Sequence, residues 1–163
     1  MSKQESLLIT KFEETVSIYH DKPAICTTER TLTYGQLSQY VDHLARQIGA
    51  LLVGEKDLTI DRQPAALLFD HGIDSIATVL AALKAGKIYV PFDSTYPLKR
   101  LEYMLKHSDA RIIITHGPNL ETARQLAAAT DKKIAILNID TDSDAHDMPI
   151  ATEQNPYAYL LYT

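Results

Sequence analysis

The sequence predicts an α/β fold: an alternating βαβ parallel sheet with helices on both faces, preceded by a helix and a β-hairpin. Three observations carry that expectation. From residue 65 onward, short apolar runs alternate with helical stripes, the pattern of right-handed βαβ units. The run Ala65-Ala66-Leu67-Leu68-Phe69 is continuously apolar, as suits a strand covered on both faces. Ahead of these units, two short β-type runs flank the polar Thr27-Thr28-Glu29-Arg30, which predicts a hairpin.

The elements follow in order. Residues 5 to 19 read as a helix, with Leu7, Leu8, Phe12, Val16 and Ile18 near helical spacing. Pro23 opens the hairpin, whose strands are Ala24-Ile25-Cys26 and Thr31-Leu32-Thr33. Thr33 and Gln36 form a capping box, each side chain satisfying a backbone N–H at the start of the next helix. Leu37, Val41, Leu44, Ile48 and Leu51 give that helix one apolar face. After the polar break Gly54-Glu55-Lys56-Asp57 comes the strand ending at Phe69, then a helix with Ile73, Ile76, Ala77, Leu80 and Leu83 facing inward. Lys84 suits its last turn, and Gly86 suits a left-handed residue just past its end. Ile88-Tyr89-Val90 is the next strand, and Pro97 opens a helix carrying Leu101, Met104 and Leu105. Strand 111–115, a helix around Leu120 to Ala128, strand 134–137 and a final run from Tyr157 to Tyr162 complete the series.

Composition narrows the function. Of 163 residues, 45% are apolar, enough for one ordinary core. The 16 basic and 21 acidic side chains leave a net charge of −5, with no basic cluster to neutralise phosphates, so neither nucleic acid nor an anionic membrane is expected as a partner. The single Cys26 rules out an internal disulfide framework and most cysteine-based zinc sites, and in its hairpin strand it reads as a buried, inert thiol. No run of about 18 apolar residues could span a membrane. Met1-Ser2-Lys3-Gln4-Glu5 lacks the order of a signal peptide, so the expectation is a small, soluble, cytosolic domain.

Motifs for several chemistries are missing. The sequence has no Gly-x-Gly-x-x-Gly fingerprint, no Gly-x-x-x-x-Gly-Lys-Ser/Thr loop and no Gly-x-Ser-x-Gly elbow. The run Asp140-x-Asp142-x-Asp144 starts like a calcium loop, but Ala145 and Ala151 stand where that loop needs Gly and Glu. With His146 and Asp147 beside it, the bland reading is a solvated loop. In a parallel α/β sheet ligands bind beyond the carboxyl ends of the strands. Those ends are Asp70-His71, Asp93-Ser94, Thr115-His116 and Tyr162-Thr163. Asp70, Asp93 or Ser94 reads either as a general base or as a cap of the following helix, and capping needs only local geometry. His20, His43 and His107 lack ligand spacing and read as surface residues.

Three stretches taken together add a resemblance. Leu32-Thr33-Tyr34-Gly35-Gln36-Leu37 resembles the first core motif of amino-acid adenylation domains, L-T/S-Y-x-E-L. Residues 83–93, from Leu83-Lys84-Ala85-Gly86 to Tyr89-Val90-Pro91-Phe92-Asp93, resemble the second, L-K-A-G-x-A-Y-V-P-I-D, followed by Tyr96-Pro97 and Arg100-Leu101. Ile88 and Phe92 are mild apolar departures, and Lys87 falls at a variable position. Tyr159-Leu160-Leu161-Tyr162-Thr163 is similar to the run into the third motif, Y-T-S-G-S-T-G-x-P-K-G.

The resemblance is to adenylation domains of nonribosomal peptide synthetases, within the adenylate-forming AMP-binding superfamily. It implies that residues 1 to 163 are the N-terminal part of the large N-terminal domain of an adenylate-forming enzyme, ending just before the phosphate loop. The complete enzyme would use ATP and Mg2+ to make an aminoacyl-adenylate, then load a phosphopantetheinylated carrier protein. Thr163 is the one position that matches the phosphate loop. No catalytic and no metal-binding residue is assigned, and the segment alone is expected to be inactive. A start at Met1 close to the first helix fits a free-standing enzyme or a loading module. A sheet stopping at Thr163 would leave strand edges uncovered. Alternatives are a fragment of an acyl- or aryl-CoA synthetase, or of a D-alanine–carrier-protein ligase. A different class is a non-catalytic α/β binding module.

Overall fold

The computed structural model describes residues 7–53, 64–141 and 159–162. Helix α1 (Leu7–Tyr19) leads into an antiparallel hairpin of β1 (Pro23–Cys26) and β2 (Thr31–Thr33), which runs directly into α2 (Tyr34–Val53). Alternating units follow: β3 (Pro64–Phe69), α3 (Ile73–Lys84), β4 (Ile88–Asp93), α4 (Leu98–Ser108), β5 (Ile112–Thr115), α5 (Leu120–Ala128) and β6 (Ala135–Asn138). The four strands β3 to β6 form one parallel sheet in the order β4-β3-β5-β6. Both the alternation and the helices on two faces agree with the sequence-based expectation.

Strand β3 sits inside the sheet and is buried along its length. Its side chains alternate, so Leu67 and Phe69 join a core with Leu37, Val41, Leu44 and Ile48 of α2 and Ala77 and Ala81 of α3. Ala66 and Leu68 face the opposite core, with Leu101, Met104 and Leu105 of α4 and Leu126 of α5. Each fully buried Leu or Ile in these cores contributes ~1.5–3 kcal/mol. Small residues line the α2–α3 contact, where Ala45, Ala77, Ala81 and Ala82 are all fully buried.

Local signals set the helix ends. The Thr33 N–H donates to Gln36 Oε1 at 3.0 Å and the Gln36 N–H donates to Thr33 Oγ1 at 3.2 Å, a complete capping box. Gly35, inside that motif, packs under the His20 ring; a Cβ there would lie 2.3 Å from His20 Nε2. At the end of α3, Gly86 takes φ 72° and donates its N–H to Leu83 O at 3.0 Å, while Lys87 N–H reaches back to Ala82 O at 2.9 Å. This reversal is what turns the chain from α3 into β4.

Lys84, two residues before Gly86, holds three helices together. Its ammonium lies 2.8 Å from Glu13 of α1 and 2.7 Å from Asp42 of α2, with the side chain mostly out of water. Burial pushes the Lys84 pKa down, but the hydrogen bonds to Asp42 and Glu13 outweigh it and the net shift is upward. The motif lysine is therefore a clamp for α1.

Several expectations are corrected. In α1, Leu7, Leu8 and Ile18 are exposed; Ile9 is the buried residue, and Phe12 packs against the α2–α3 core. The reason is that α1 rests on α2 and α3 along one narrow line, so most of its apolar stripe has nothing to face. Ile76 is likewise exposed, in the wall of an apolar cleft beside α3. Cys26 is exposed and free, at the end of β1 next to the turn, while Ala24 and Ile25 pack on the core. Strand β4 continues through Pro91 to Asp93. Tyr89 turns its backbone to the outer edge, where its C=O accepts the Leu160 N–H at 3.0 Å. Pro91, two residues on, has the same orientation and costs β3 no hydrogen bond. Among the described residues, the final run contributes one parallel bridge, Tyr89 to Tyr159; Tyr157, Ala158 and Thr163 lie outside the described residues. Residues 54–57 and the run from Asp142 to Ala151 also lie outside them.

Two substitutions test these devices. Lys84→Met should cost about 1–3 kcal/mol, since it strands two partly screened carboxylates against α3. Gly86→Ala should cost about 1–2 kcal/mol through left-handed strain alone. Urea denaturation measures both, and an unchanged midpoint for either contradicts the role assigned.

Candidate functional site

The carboxyl ends of β3, β4, β5 and β6 gather at one edge of the sheet, and the residues named there from sequence meet in part. Ser94, just past β4, donates its hydroxyl to Asp70 Oδ1, just past β3. Asp70 Oδ2 lies 3.6 Å from His116 Nε2, just past β5, and the other ring nitrogen lies 4.0 Å from Asp74 Oδ2. The His116 ring packs on Phe69 with centroids 5.2 Å apart, and its Nε2 is 3.0 Å from the Asn119 amide. Beyond β6, Asp140 accepts the Gly117 N–H at 2.6 Å, tying the last two strand ends together.

Asp74 is the hub between this edge and the first half of the chain. It accepts the Tyr40 hydroxyl from α2 at 2.9 Å and lies 3.6 Å from the Arg30 guanidinium of the hairpin turn. Burial and then the Asp74 charge raise the Tyr40 pKa far above its ordinary value, so this phenol stays protonated. Neither Asp70 nor Ser94 caps a helix, contrary to the capping reading. Gly72 takes the N-cap position of α3, its N–H donating to Ser75 Oγ at 3.2 Å, and Pro97 precedes α4. Asp93 stands apart from the cluster. It accepts the Thr95 hydroxyl at 2.7 Å and the Thr95 N–H at 2.9 Å, which hold its carboxyl below the usual carboxylate range.

Two clefts open at this edge. One of about 480 Å3 is mostly apolar, with Leu80, Pro91, Tyr96, Met104, Leu161 and Tyr162 in its wall. The other, of about 770 Å3, is polar and includes Arg30, Tyr40, His71, Asp74, His116 and Asp140.

This geometry limits the chemistry. Ser94 donates to a carboxylate and has no imidazole to take its proton, so it is not an activated nucleophile. Both His116 nitrogens already face partners, which suits a bracket between strand ends. Among the described residues, no three His, Cys, Asp or Glu side chains converge as a metal site. Asp70, Asp74 and Asp140 around one Arg30 repel a polyphosphate, so the described residues do not fit the phosphates of ATP by themselves. Thr163, the one position tied by resemblance to a phosphate loop, lies outside the described residues. Tyr40, Arg30 and Asn119 went unnoticed in the sequence. Nothing local marks them, because each earns its role from a contact made by folding.

The AMP-binding enzyme family model matches residues 12–163. The chain belongs to the AMP-binding enzyme family. Among curated relatives, this AMP-binding chain is 32% identical over 164 residues to N-(5-amino-5-carboxypentanoyl)-L-cysteinyl-D-valine synthase of Penicillium rubens, covering 93% of the chain and 4% of that protein. It is 30% identical to bacitracin synthase 1 of Bacillus licheniformis, covering 93% of the chain and 3% of the relative. It is 28% identical to tyrocidine synthase 3 of Brevibacillus parabrevis, covering 93% and 2%. The AMP-binding chain thus spans only a small part of the relatives it matches. Among solved structures, a nonribosomal peptide synthetase, FmoA3, superposes with TM-score 0.71 at 21% identity, over all of this chain and 17% of that one. An anthranilate CoA ligase in complex with anthranoyl-AMP gives TM-score 0.71 at 18% identity, covering 97% and 31%. These likenesses carry the fold: a parallel sheet with helices, as in the N-terminal domains of adenylate-forming enzymes. No helix among the described residues is long and apolar enough to cross a membrane.

Removing the Tyr40 hydroxyl tests the Asp74 hub. Tyr40→Phe should cost ~1 kcal/mol at pH 7, the usual worth of one hydrogen bond. The sign of the pH dependence follows from the raised pKa. The contribution is complete below pH about 10, where the unfolded phenol is still protonated, and is lost as pH rises above it. Denaturant midpoints of the two proteins should therefore converge at alkaline pH. A constant gap from pH 7 to 11 contradicts the hub.

Proposed function

We propose that residues 1–163 are the N-terminal part of an ATP-dependent, amino-acid-activating adenylation unit, with the phosphate loop starting at Thr163. The observation that carries this reading is the 28–32% identity to synthases of peptide products, spread over 93% of the chain. In the reaction, an amino-acid carboxylate oxygen attacks the α-phosphorus of ATP, and the bond to the bridging oxygen breaks to release pyrophosphate. The thiolate of a carrier-protein phosphopantetheine then attacks the acyl carbon, and AMP leaves. Mg2+ accompanies the ATP, and the compartment is the cytoplasm. The residues described here contribute a rigid sheet edge, with Lys84 clamping the helices and His116 bracketing the strand ends.

A second reading has one observation in its favour. The anthranilate CoA ligase matches the fold with the same TM-score as the peptide synthetase, so an aryl-CoA ligase shares this architecture. The sequence relatives favour the amino-acid reading.

Exchange of labelled pyrophosphate into ATP, run with a panel of amino acids, tests the proposal. The whole protein that carries this segment should exchange with one or a few amino acids, and residues 1–163 alone with none. Acyl-CoA formation from an aryl acid without amino-acid exchange supports the ligase reading instead. Robust exchange by the segment itself contradicts the assignment of the nucleotide site to residues beyond it.

A further inference from the structure

In a parallel ladder, a residue gives its N–H to one carbonyl of the neighbouring strand and its own C=O to the N–H two residues further on. On the outer edge of β4 the first of these bonds is made. The Leu160 N–H donates to Tyr89 O at 3.0 Å, beside the parallel bridge from Tyr89 to Tyr159. The next bond would run from the N–H of residue 91 to Leu160 O. Residue 91 is a proline and has no N–H to give. Among the described residues, no further backbone hydrogen bond joins the run to β4. From there the chain turns toward α4. The Tyr162 ring packs against the core formed by α4, α5 and β4, and its hydroxyl is shared between His107 Nδ1, at 2.9 Å, and Ser108. Leu161 is left exposed. Pro91, Leu161 and Tyr162 all stand in the wall of the apolar cleft, so the cleft opens where the ladder fails.

We infer that Pro91 is a ladder stop: by withholding one N–H it releases the final run from β4 after Leu160 and keeps the apolar cleft open at the carboxyl end of that strand. Two causes compete for this release, the missing donor and the pull of Tyr162 toward α4. Their order along the chain favours the proline. The ladder is already broken at Leu160 O, two residues before the Tyr162 side chain makes its contacts. Proline on an edge strand commonly refuses a foreign strand; here it refuses a segment of its own chain. What remains after Leu160 is a strap fastened by one backbone bond and one side chain. Such a strap moves against β4 without unzipping a ladder, which makes this edge the adjustable side of the sheet.

Amide hydrogen exchange on the whole protein that carries this segment tests the inference, with the unsubstituted chain compared against Pro91→Val and Tyr162→Ala. Pro91→Val restores the donor in a residue suited to strands. The new amide at position 91 should be protected. The Tyr162 N–H, the next donor in the ladder, should exchange roughly three- to tenfold more slowly, the worth of one added hydrogen bond. A crystal structure of the same variant should place Leu160 O within hydrogen-bond reach of the nitrogen at position 91, with the cleft narrowed. Pro91→Ala supplies the same donor with a smaller side chain, in case valine crowds the cleft wall. Tyr162→Ala removes the anchor and leaves the donor missing, so exchange at positions 160 and 162 should be no slower than in the unsubstituted protein. An amide at position 91 that exchanges as an unpaired one in either folded variant overturns the inference. So does slowed exchange at position 162 in Tyr162→Ala alone, which would assign the release to the anchor.

Discussion

A parallel strand without an exposed face must be covered twice, and β3 is that strand. Leu67 and Phe69 require α2 and α3 on one side; Ala66 and Leu68 require α4 and α5 on the other. Once both layers are in place, each of β3, β4, β5 and β6 ends at the same edge, and the residues that follow are brought together whatever their separation in the chain. The Ser94–Asp70 contact, the Asp70–His116 approach and the Asp140 bond to Gly117 are consequences of that double coverage. The Lys84 clamp extends it by securing α1, a helix with little apolar contact of its own, to the α2–α3 layer.

Features with local causes were legible in the sequence. The Thr33–Gln36 capping box, the left-handed Gly86 and the apolar face of α2 all rest on residues within a few turns of one another. The doubly buried strand was legible for the same reason, since five apolar residues in succession leave no face for water. What escaped depends on which neighbour arrives. Cys26 and Ile76 have the right chemistry for burial, but both are exposed, Ile76 in the wall of the apolar cleft. Leu7 and Ile18 sit on a helix that buries Ile9 and packs Phe12 on the α2–α3 core while leaving its other side to water. At the sheet edge, Asp70, Ser94 and His116 were correctly placed at strand ends, whereas their mutual contacts, and the Tyr40–Asp74 bond from another layer, follow only from the fold.

Functionally, the edge is acidic and its polar groups are mostly spoken for by one another, so it acts as a support. The first two of the three stretches that carry the resemblance have the same character: one is a helix start with a close His20–Gly35 contact, the other a clamp, a chain reversal and an edge strand. Membership of the AMP-binding family and the likeness to peptide synthases supply the chemical context, and the anchored Tyr162 marks where support gives way to the proposed nucleotide loop.

We propose that the described residues build a scaffold for a nucleotide site that begins after them. The structure of the whole protein bound to a non-hydrolysable aminoacyl-adenylate analogue tests this most directly. The sheet and the Lys84 clamp should be unchanged, with the adenylate beyond Thr163 and no side chain of residues 7–141 in hydrogen-bond reach of it. An adenylate gripped by Asp70, Ser94 or His116 would contradict it.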